Sequence, residues 1–295
     1  MKISVVIPFY SNKELLIESI DSVLDQTLKA DEIIIVSDGS KENIDDLVSY
    51  SDSIKILKQE NQGCGIARLN GILSATGDYI AFMDSDDIWP QNKLEEQILF
   101  MQEKHLYWSH TGFCYKDFDL NKIKTVDNQN DFGHVYYLSF VSLKIASPTV
   151  VISKYVLPLL RKLKIPKDCK YGQDGYIFQI LAKDYPLGLL NKCLLFVRYR
   201  SDHTSASSVK RFMIRDTAYH EYLRNNWDIS FTIKTVYFIY HTLNAFFNSR
   251  IMKNRSSSKK EFLGRCMWFV PHLIEQVYRK YLLLRRAKKD IIYQG

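Results

Sequence analysis

The sequence predicts an α/β fold: a mostly parallel central sheet covered by helices on both faces, with a helical C-terminal extension. Three observations lead there. Over the first 110 residues, apolar β-branched runs alternate with segments whose apolar residues recur at helical intervals, the pattern of successive βαβ units. Tyr79 to Met83 is an apolar run without a turn residue inside it, as expected of a strand buried on both faces. After Ser208 the pattern becomes helical.

Taken in order, Ile3 to Ile7 is the first strand, ended by Pro8. Ser11 and Glu14 have capping-box spacing, and Leu15, Leu16, Ile20, Val23 and Leu24 carry a helix to about Thr27. Glu32 to Ser37 is the second strand, broken by Asp38-Gly39-Ser40, and Ile54 to Leu57 the third. Gly63-Cys64-Gly65 opens a helix through Ile66, Ala67, Leu69 and Leu73, stopped at Gly77. Tyr79 to Met83 follows as a strand, and a helix from Gln91 to Glu103 closes this half. Beyond it the sequence predicts strands at Trp108 to Tyr115 and Pro148 to Ile152, and a helix at Lys154 to Leu163. A turn at Lys170 to Gly175 feeds a helix bearing Ile177, Ile180 and Leu181, and Leu187 to Tyr199 is a strand pair. Lys210 to Trp227 is a helix. Val236 to Phe247 is a buried helix, because Lys234 and Arg250 bound it too closely for a membrane span. His272 to Tyr293 is one amphipathic helix with Leu273, Ile274, Val277, Tyr278, Tyr281, Leu284 and Ile291 on one side and Arg279, Arg286 and Lys289 mostly opposite.

Five cysteines, an odd number, widely spaced and without C-x-x-C, predict neither a disulfide framework nor a structural zinc site and suit a reducing cytoplasm. Met1-Lys2 runs straight into a strand, so no signal peptide is expected. The net charge of +7 is unevenly placed: Arg250 to Asp290 holds twelve Lys or Arg and three Asp or Glu, a local +9, leaving 28 basic and 30 acidic groups elsewhere. A near-neutral body with a basic tail suits an anionic surface, either phospholipid or nucleic acid. With its amphipathic pattern the expectation is peripheral contact through 250–293 with the inner face of the plasma membrane, and no nucleic-acid partner.

The chemistry is expected where strands end. Asp84, Asp86 and Asp87 stand within four residues directly after a buried strand. Carboxylates crowded at that edge call for a cation, and hard oxygen ligands suit Mg²⁺ or Mn²⁺. Loops Pro8 to Asn12, Asp38 to Ser40 and Asp84 to Asp87 leave the C-terminal ends of three strands, where open sheets place their ligands. An acid at Asp38 suits a base edge or ribose hydroxyl, Arg68 offers a donor fork to a phosphate or base carbonyl, and Phe9 or Tyr10 can stack a base. These features point to a nucleoside diphosphate held by a divalent metal. No G-x-G-x-x-G follows the first strand and no G-x-x-x-x-G-K-[ST] occurs, which disfavours dinucleotide oxidoreductases and P-loop NTPases.

The segments V-V-I-P-F-Y-S-N (5–12), I-I-I-V-S-D-G-S (33–40), N-Q-G-C-G-I-A-R-L-N-G (61–71) and G-D-Y-I-A-F-M-D-S-D-D-I-W-P (77–90) resemble the family 2 inverting glycosyltransferases of the GT-A fold, whose sheet is Rossmann-like. The resemblance is dense over about 110 residues and continues thinly through Gly172-Gln173-Asp174 and Tyr199 to His203. It implies Asp38 on the uracil of a UDP-sugar, with Pro8, Tyr10 and Arg68 lining the nucleotide site. It makes Asp84-Ser85-Asp86 the D-x-D motif: Asp86 on the metal, Asp84 towards the ribose or donor sugar, and Asp87 orienting the sugar or a metal-bound water. It implies Asp174 as catalytic base, although the family often carries Glu-Asp where this chain has Gln173-Asp174. It places His203 on the metal or diphosphate, with Tyr199 and Arg200 bracing the same loop. Residues 1–208 would then be the catalytic domain, with a nucleotide-sugar half (1–110) and an acceptor half (111–208), and 209–295 a helical region. The expected reaction is metal-assisted transfer of a hexose or N-acetylhexosamine to a glycan acceptor, lipid-linked by the argument from the basic tail. A sugar-1-phosphate nucleotidylyltransferase would show a Gly- and Arg-rich loop where P-F-Y-S-N stands, and a non-catalytic binding protein leaves the acids unexplained.

Overall fold

The structure is a computed structural model. It describes residues 1–117, 122–126, 128, 130–141, 143, 145–165, 172–198, 230–248, 273–274, 276–284 and 288–295, with 259 and 263. The expected helix at Lys210 to Trp227, the boundary at 208/209, Tyr199, Arg200 and His203 lie outside these residues.

Eight strands form one sheet: β1 (Ile3–Phe9), β2 (Glu32–Asp38), β3 (Ile54–Gln59), β4 (Tyr79–Phe82), β5 (Trp108–Lys116), β6 (Lys122–Thr125), β7 (Val151–Ser153) and β8 (Gly188–Arg198). Their order is β3-β2-β1-β4-β7-β5-β6, with β8 paired to β5. The N-terminal four strands are parallel throughout. The second half is mixed: β7 runs antiparallel to β4 and β5, β6 antiparallel to β5, and β8 parallel to β5. With its flanking helices this is a GT-A-like fold with a helical C-terminal extension.

The long apolar strands follow from burial on both faces. Ile3, Val5, Ile7 and Phe9 enter one apolar cluster with Leu16 and Ile20 of α1 (Lys13–Leu24) and Ile98 of α3 (Lys93–Glu103). Val6, from the same strand, enters the other with Ile66 and Ile72 of α2 (Cys64–Ser74) and Ile177 and Leu181 of α6 (Asp174–Asp184). Short helices α4 (Tyr136–Val141) and α5 (Leu157–Leu160) complete that second layer.

Several expectations need correction. Asn12, not Ser11, caps α1: its side chain accepts from Leu15 N at 3.1 Å, while the Asn12 and Lys13 N–H groups donate to Glu42. Leu187 to Tyr199 is not a strand pair. The polar Asn191-Lys192 looks like a turn, but one continuous β8 absorbs it through register shifts against β5. The same pairing brings together Cys114 and Cys193, 79 residues apart, and they form a disulfide with Cα atoms 6.3 Å apart, which spacing alone did not predict.

The C-terminal expectations also change. Among the described side chains of the helix Phe231–Asn248, Ile233 and Val236 are buried and Phe238 is exposed. Among the described residues no helix is long and apolar enough to cross a membrane. Residues 276–284 are helical, but Lys288–Tyr293 is a separate 3₁₀ turn, so His272 to Tyr293 is not one helix. Arg279 faces inward, pairing with the buried Asp131 at 2.8 Å. Asp290 pairs with His134, and Gly295 exchanges backbone hydrogen bonds with Leu189 and Asn191. The end of the chain is therefore anchored on the sheet.

One buried carboxylate on β2 ties together β1, β3 and the turn before β4 at the edge opposite the site. Glu32, 3% exposed, accepts from Ser4 Oγ (2.5 Å), Thr76 N (2.6 Å) and Oγ1 (2.9 Å), and Lys55 Nζ (2.7 Å). Burial alone would push its pKa up, but the Lys55, Ser4 and Thr76 donors outweigh it and take it from 4.5 to about 2. A folded-state pKa below the unfolded value stabilises above pH 4.5, and the contribution is lost as pH falls towards 2. Glu32→Gln is expected to cost about 3 kcal/mol at pH 7, less whatever solvent around Lys55 screens, at 1.36 kcal/mol per unit. Urea midpoints from pH 7 to pH 2.5 check this: the gap between parent and variant should close on the acid side.

Candidate active site

The sheet's parallel half delivers its loops to one edge, as the strand-end rule requires. There a cleft of about 370 Å³ is lined by Pro8 at the end of β1 and Tyr10 after it, Asp38 at the end of β2, Cys64 and Arg68 of α2, Asp84, Ser85 and Asp86 after β4, and Asp174 at the start of α6. Phe9 is 1% exposed and belongs to the core, whereas Tyr10, at 56%, is the aromatic on the rim.

Asp38 organises the neighbouring loop. Its Oδ1 accepts from Gln59 Nε2 and Gln62 N, and its Oδ2 from Gly63 N, all at 2.8 Å. A carboxylate oxygen has two lone pairs, so after these bonds Oδ2 keeps acceptor capacity for a base N–H.

Arg68 forms the floor. It is 1% exposed, its Nη2 donates to Asp84 Oδ1 and its Nη1 to Asp174 Oδ1, and its Nε is buried without a hydrogen-bond partner. Burial opposes the charge, but the two carboxylates outweigh it and hold the guanidinium above its ordinary pKa. Rather than being presented to a ligand, the fork ties the D-x-D loop to Asp174. Asp174 has a second partner, Ser147, whose hydroxyl donates to Oδ2 at 2.8 Å. Ser147 sits on a loop held by Trp89 Nε1 to Pro148 O (2.9 Å) and Gln97 Nε2 to Thr149 O (3.0 Å).

The acids after β4 are unequal. Asp84 is pushed above the ordinary carboxylate range by burial, against the pull of Arg68, with Asp86 and Asp174 adding to the rise; water at the cleft, which reaches 37% of its side chain, moderates this. Asp87 turns away from the cleft, 4% exposed, and accepts from Arg198 N at 3.3 Å. Burial and then Asp84 and Asp86 push it well up. Arg198 braces this turn, donating Nε to Asp86 O (3.1 Å) and Nη2 to Glu18.

Among the described residues, four carboxylates (Asp38, Asp84, Asp86 and Asp174) and one guanidinium line the cleft. A surplus of acid at this edge suits a hard cation. Among the described residues no three His, Cys, Asp or Glu side chains converge as a metal cage.

Residues 4–141, which run from β1 through β6 and include the D-x-D loop, match the model of Glycosyl transferase family 2. The chain carries a family 2 glycosyltransferase domain. An uncharacterized glycosyltransferase of Rickettsia conorii is 30% identical over 292 residues, 97% of this chain and 46% of its own. Another, of Rickettsia bellii, is 33% identical over 224 residues, 74% of this chain and 32% of its own. The chain thus spans less than half the length of these relatives. The Escherichia coli protein named UDP-Glc:alpha-D-GlcNAc-diphosphoundecaprenol beta-1,3-glucosyltransferase WfgD is 29% identical over 254 residues, 82% of this chain and 91% of its own. Among solved structures, Staphylococcus aureus TarS 1–349 in complex with UDP-GlcNAc superposes with a TM-score of 0.60 at 17% identity, covering 95% of this chain and 92% of that one, a likeness of fold.

Proposed function

We propose that this chain is an inverting glycosyltransferase that moves a hexose or N-acetylhexosamine from a UDP-sugar to a hydroxyl of a glycan acceptor, lipid-linked in its natural form. The observation that carries this reading is Asp174: a carboxylate from the acceptor half held by Arg68 and Ser147 in the same cleft as the D-x-D loop. The name of the Escherichia coli relative supports both the UDP-sugar donor and the diphospholipid-linked acceptor.

In this reading Asp174 takes the proton of the acceptor hydroxyl as its oxygen bonds to the anomeric carbon. The bond from that carbon to the UDP oxygen breaks on the opposite side, so configuration inverts and UDP leaves with the bonding pair. Tyr10 stacks on the uracil, Asp38 Oδ2 accepts from its N–H, and Pro8 and Ser85 shape the walls. Asp86, with Asp84, would hold Mn²⁺ or Mg²⁺. When bound, that ion neutralises charge on the diphosphate leaving group, for which the acid-rich cleft offers little compensation of its own. Arg200 and His203 remain candidates for closing over the diphosphate. UDP release scored over a panel of UDP-sugars with a polyprenyl-diphosphate sugar acceptor, with and without Mn²⁺, tests the reading; release with no donor in the panel would sink it. Asp86→Ala is expected to abolish the Mn²⁺-dependent part of UDP affinity in calorimetric titration while the melting temperature stays within a few degrees. Unchanged Mn²⁺ dependence would remove Asp86 as the ligand.

The reading extends to a membrane surface. Leu273, Val277, Tyr281 and Leu284, spaced four, four and three apart, are exposed and lie within the stretch Arg250 to Asp290 of charge +9; Phe231 and Phe238, ahead of that stretch, are exposed as well. Truncation before His272 would also remove the Arg279, Asp290 and Gly295 anchors, so substitution is the cleaner test. Val277→Glu with Leu284→Glu is expected to lower binding to anionic vesicles about tenfold and leave transfer to a short soluble acceptor within twofold. Vesicle binding equal to the parent's would reject this surface.

A further inference from the structure

The residue before the proposed base is Gln173, a neutral amide where the family resemblance leads one to expect an acid. It is 3% exposed and precedes α6, yet its side chain makes no cap there. It crosses instead to the start of α2, more than a hundred residues earlier in the chain. Its Oε1 accepts from Gly65 N (2.9 Å) and Ile66 N (3.3 Å), and its Nε2 donates to Gln62 O (2.9 Å). The first N–H groups of a helix have no partner within it, and α2 has no side-chain cap of its own.

The local sequence is cut to admit this side chain. Gly63 has φ +96°, and a Cβ there would lie 2.6 Å from Gln173 Oε1. A Cβ on Gly65 would lie 2.3 Å from Gln173 Cβ. G-C-G is thus a socket as well as a helix start.

Residues on both sides of the socket belong to the site. Gln62 and Gly63, which flank it, donate to Asp38. One turn further along α2, Arg68 reaches back to Asp174, the residue after Gln173. Asp38, residues 62–66, Gln173, Asp174 and Arg68 therefore form a closed ring joining the nucleotide wall to the acceptor wall. An amide suits the socket because it needs one acceptor and one donor. A carboxylate would accept from Gly65 and Ile66 but face the Gln62 carbonyl without a proton, and would add negative charge beside Asp174.

We infer that Gln173 is a positioning residue: it locks the nucleotide-binding loop 62–66 to the start of α6, so that occupancy of the nucleotide site fixes the placement of Asp174. This rests on the nucleotide-site and base roles proposed above. Its test is chosen to separate the two.

Hydrogen exchange followed by mass spectrometry on the full chain, with and without UDP and Mn²⁺, reads the ring directly. In the parent without nucleotide, amides of 64–66 should be protected; Gln173→Leu should speed their exchange at least tenfold, and Gln173→Glu should do so less, because its acceptor remains. Adding UDP and Mn²⁺ to the parent should protect both 60–66 and 172–178, whereas in Gln173→Leu protection should stop at 60–66. In steady-state transfer both variants should lose at least tenfold in kcat while acceptor KM stays within twofold, with Gln173→Glu the milder. Exchange of 64–66 unchanged in Gln173→Leu overturns the clamp. Full spread of UDP protection to 172–178 in that variant overturns the coupling. If Gln173→Leu does not fold, Gln173→Glu carries the same comparison, and parent-like exchange and kcat in it overturn the inference. A parent whose exchange does not respond to UDP overturns the nucleotide reading, and with it the coupling, while the apo comparison still decides the clamp.

Discussion

Asp174→Asn is expected to leave a folded protein that melts below the parent, because Arg68 keeps only Asp84 as a charged partner, yet binds UDP-sugar with affinity within about twofold and transfers sugar roughly 10²-fold more slowly or worse, the usual worth of a general base. The contacts of Asp174 make the substitution clean. Oδ1 accepts from Arg68, which cannot accept in return, so the amide oxygen of Asn must stay on that side. The Nδ2 group then faces Ser147, whose hydroxyl can rotate from donor to acceptor at the same 2.8 Å separation. The shape and Ser147 contact survive, while the charge and the lone pair that would take the acceptor's proton are gone. Asn and Asp cap helices nearly equally, so a role confined to the start of α6 would leave the rate unchanged. Thermal melting, calorimetric donor titration and initial rates on one preparation separate the two, and a variant that keeps most of its rate would remove Asp174 from the chemistry.

What could be read from the sequence and what could not divide along contact range. β1, β2 and β4 were legible because each is a run of apolar residues buried on two faces, and two-sided burial writes itself into consecutive positions; β3, at the sheet's edge with only Ile54 fully buried, was legible from Ile54, Ile56 and Leu57. The convergence of Pro8, Asp38 and Asp84 to Asp86 on one cleft followed from topology, since parallel strands end on one side. The later half was less legible. β7 has three residues, too few for a period, and β8 carries a polar pair that only its register shifts with β5 explain. Ser147 and Gln173 touch the site through bonds to residues far along the chain and stand in no motif that residue type would flag. Arg68 was visible as a cation near the site. That it would spend its fork on Asp84 and Asp174 was not, because sequence shows charges but not their pairings. The basic tail misled in a similar way: counting charge could not show that Arg279 and Asp290 point inward to Asp131 and His134.

Arg68→Met is expected to cost about 3 kcal/mol of stability at pH 7, the lower end of the 3–5 kcal/mol typical when one partner of a buried ion pair is removed. Met fills much of the same volume, so the loss is mainly electrostatic. Asp174 and Asp84 would face each other across an apolar floor with Asp86 nearby and no cation between them. Water at the Asp84 side chain, 37% exposed, keeps the estimate low. The sign of the pH dependence follows. Without Arg68, the folded-state pKa of Asp84, already above its ordinary value because of burial, rises further, so the added penalty is absent below about pH 4 and grows as pH rises through that range. Urea unfolding at pH 7 and pH 4 should therefore show a deficit that shrinks by more than half on the acid side. Arg68→Lys is expected to fall between parent and Met, because one ammonium cannot present the planar fork that reaches both carboxylates at once. Removing the cation also makes the cleft more negative, so UDP affinity without Mn²⁺ should drop at least tenfold, and Mn²⁺ should restore a larger share of it than in the parent. A deficit equal at both pH values would mean that Arg68 acts through packing, and that Asp84 and Asp174 do not depend on it for their charge.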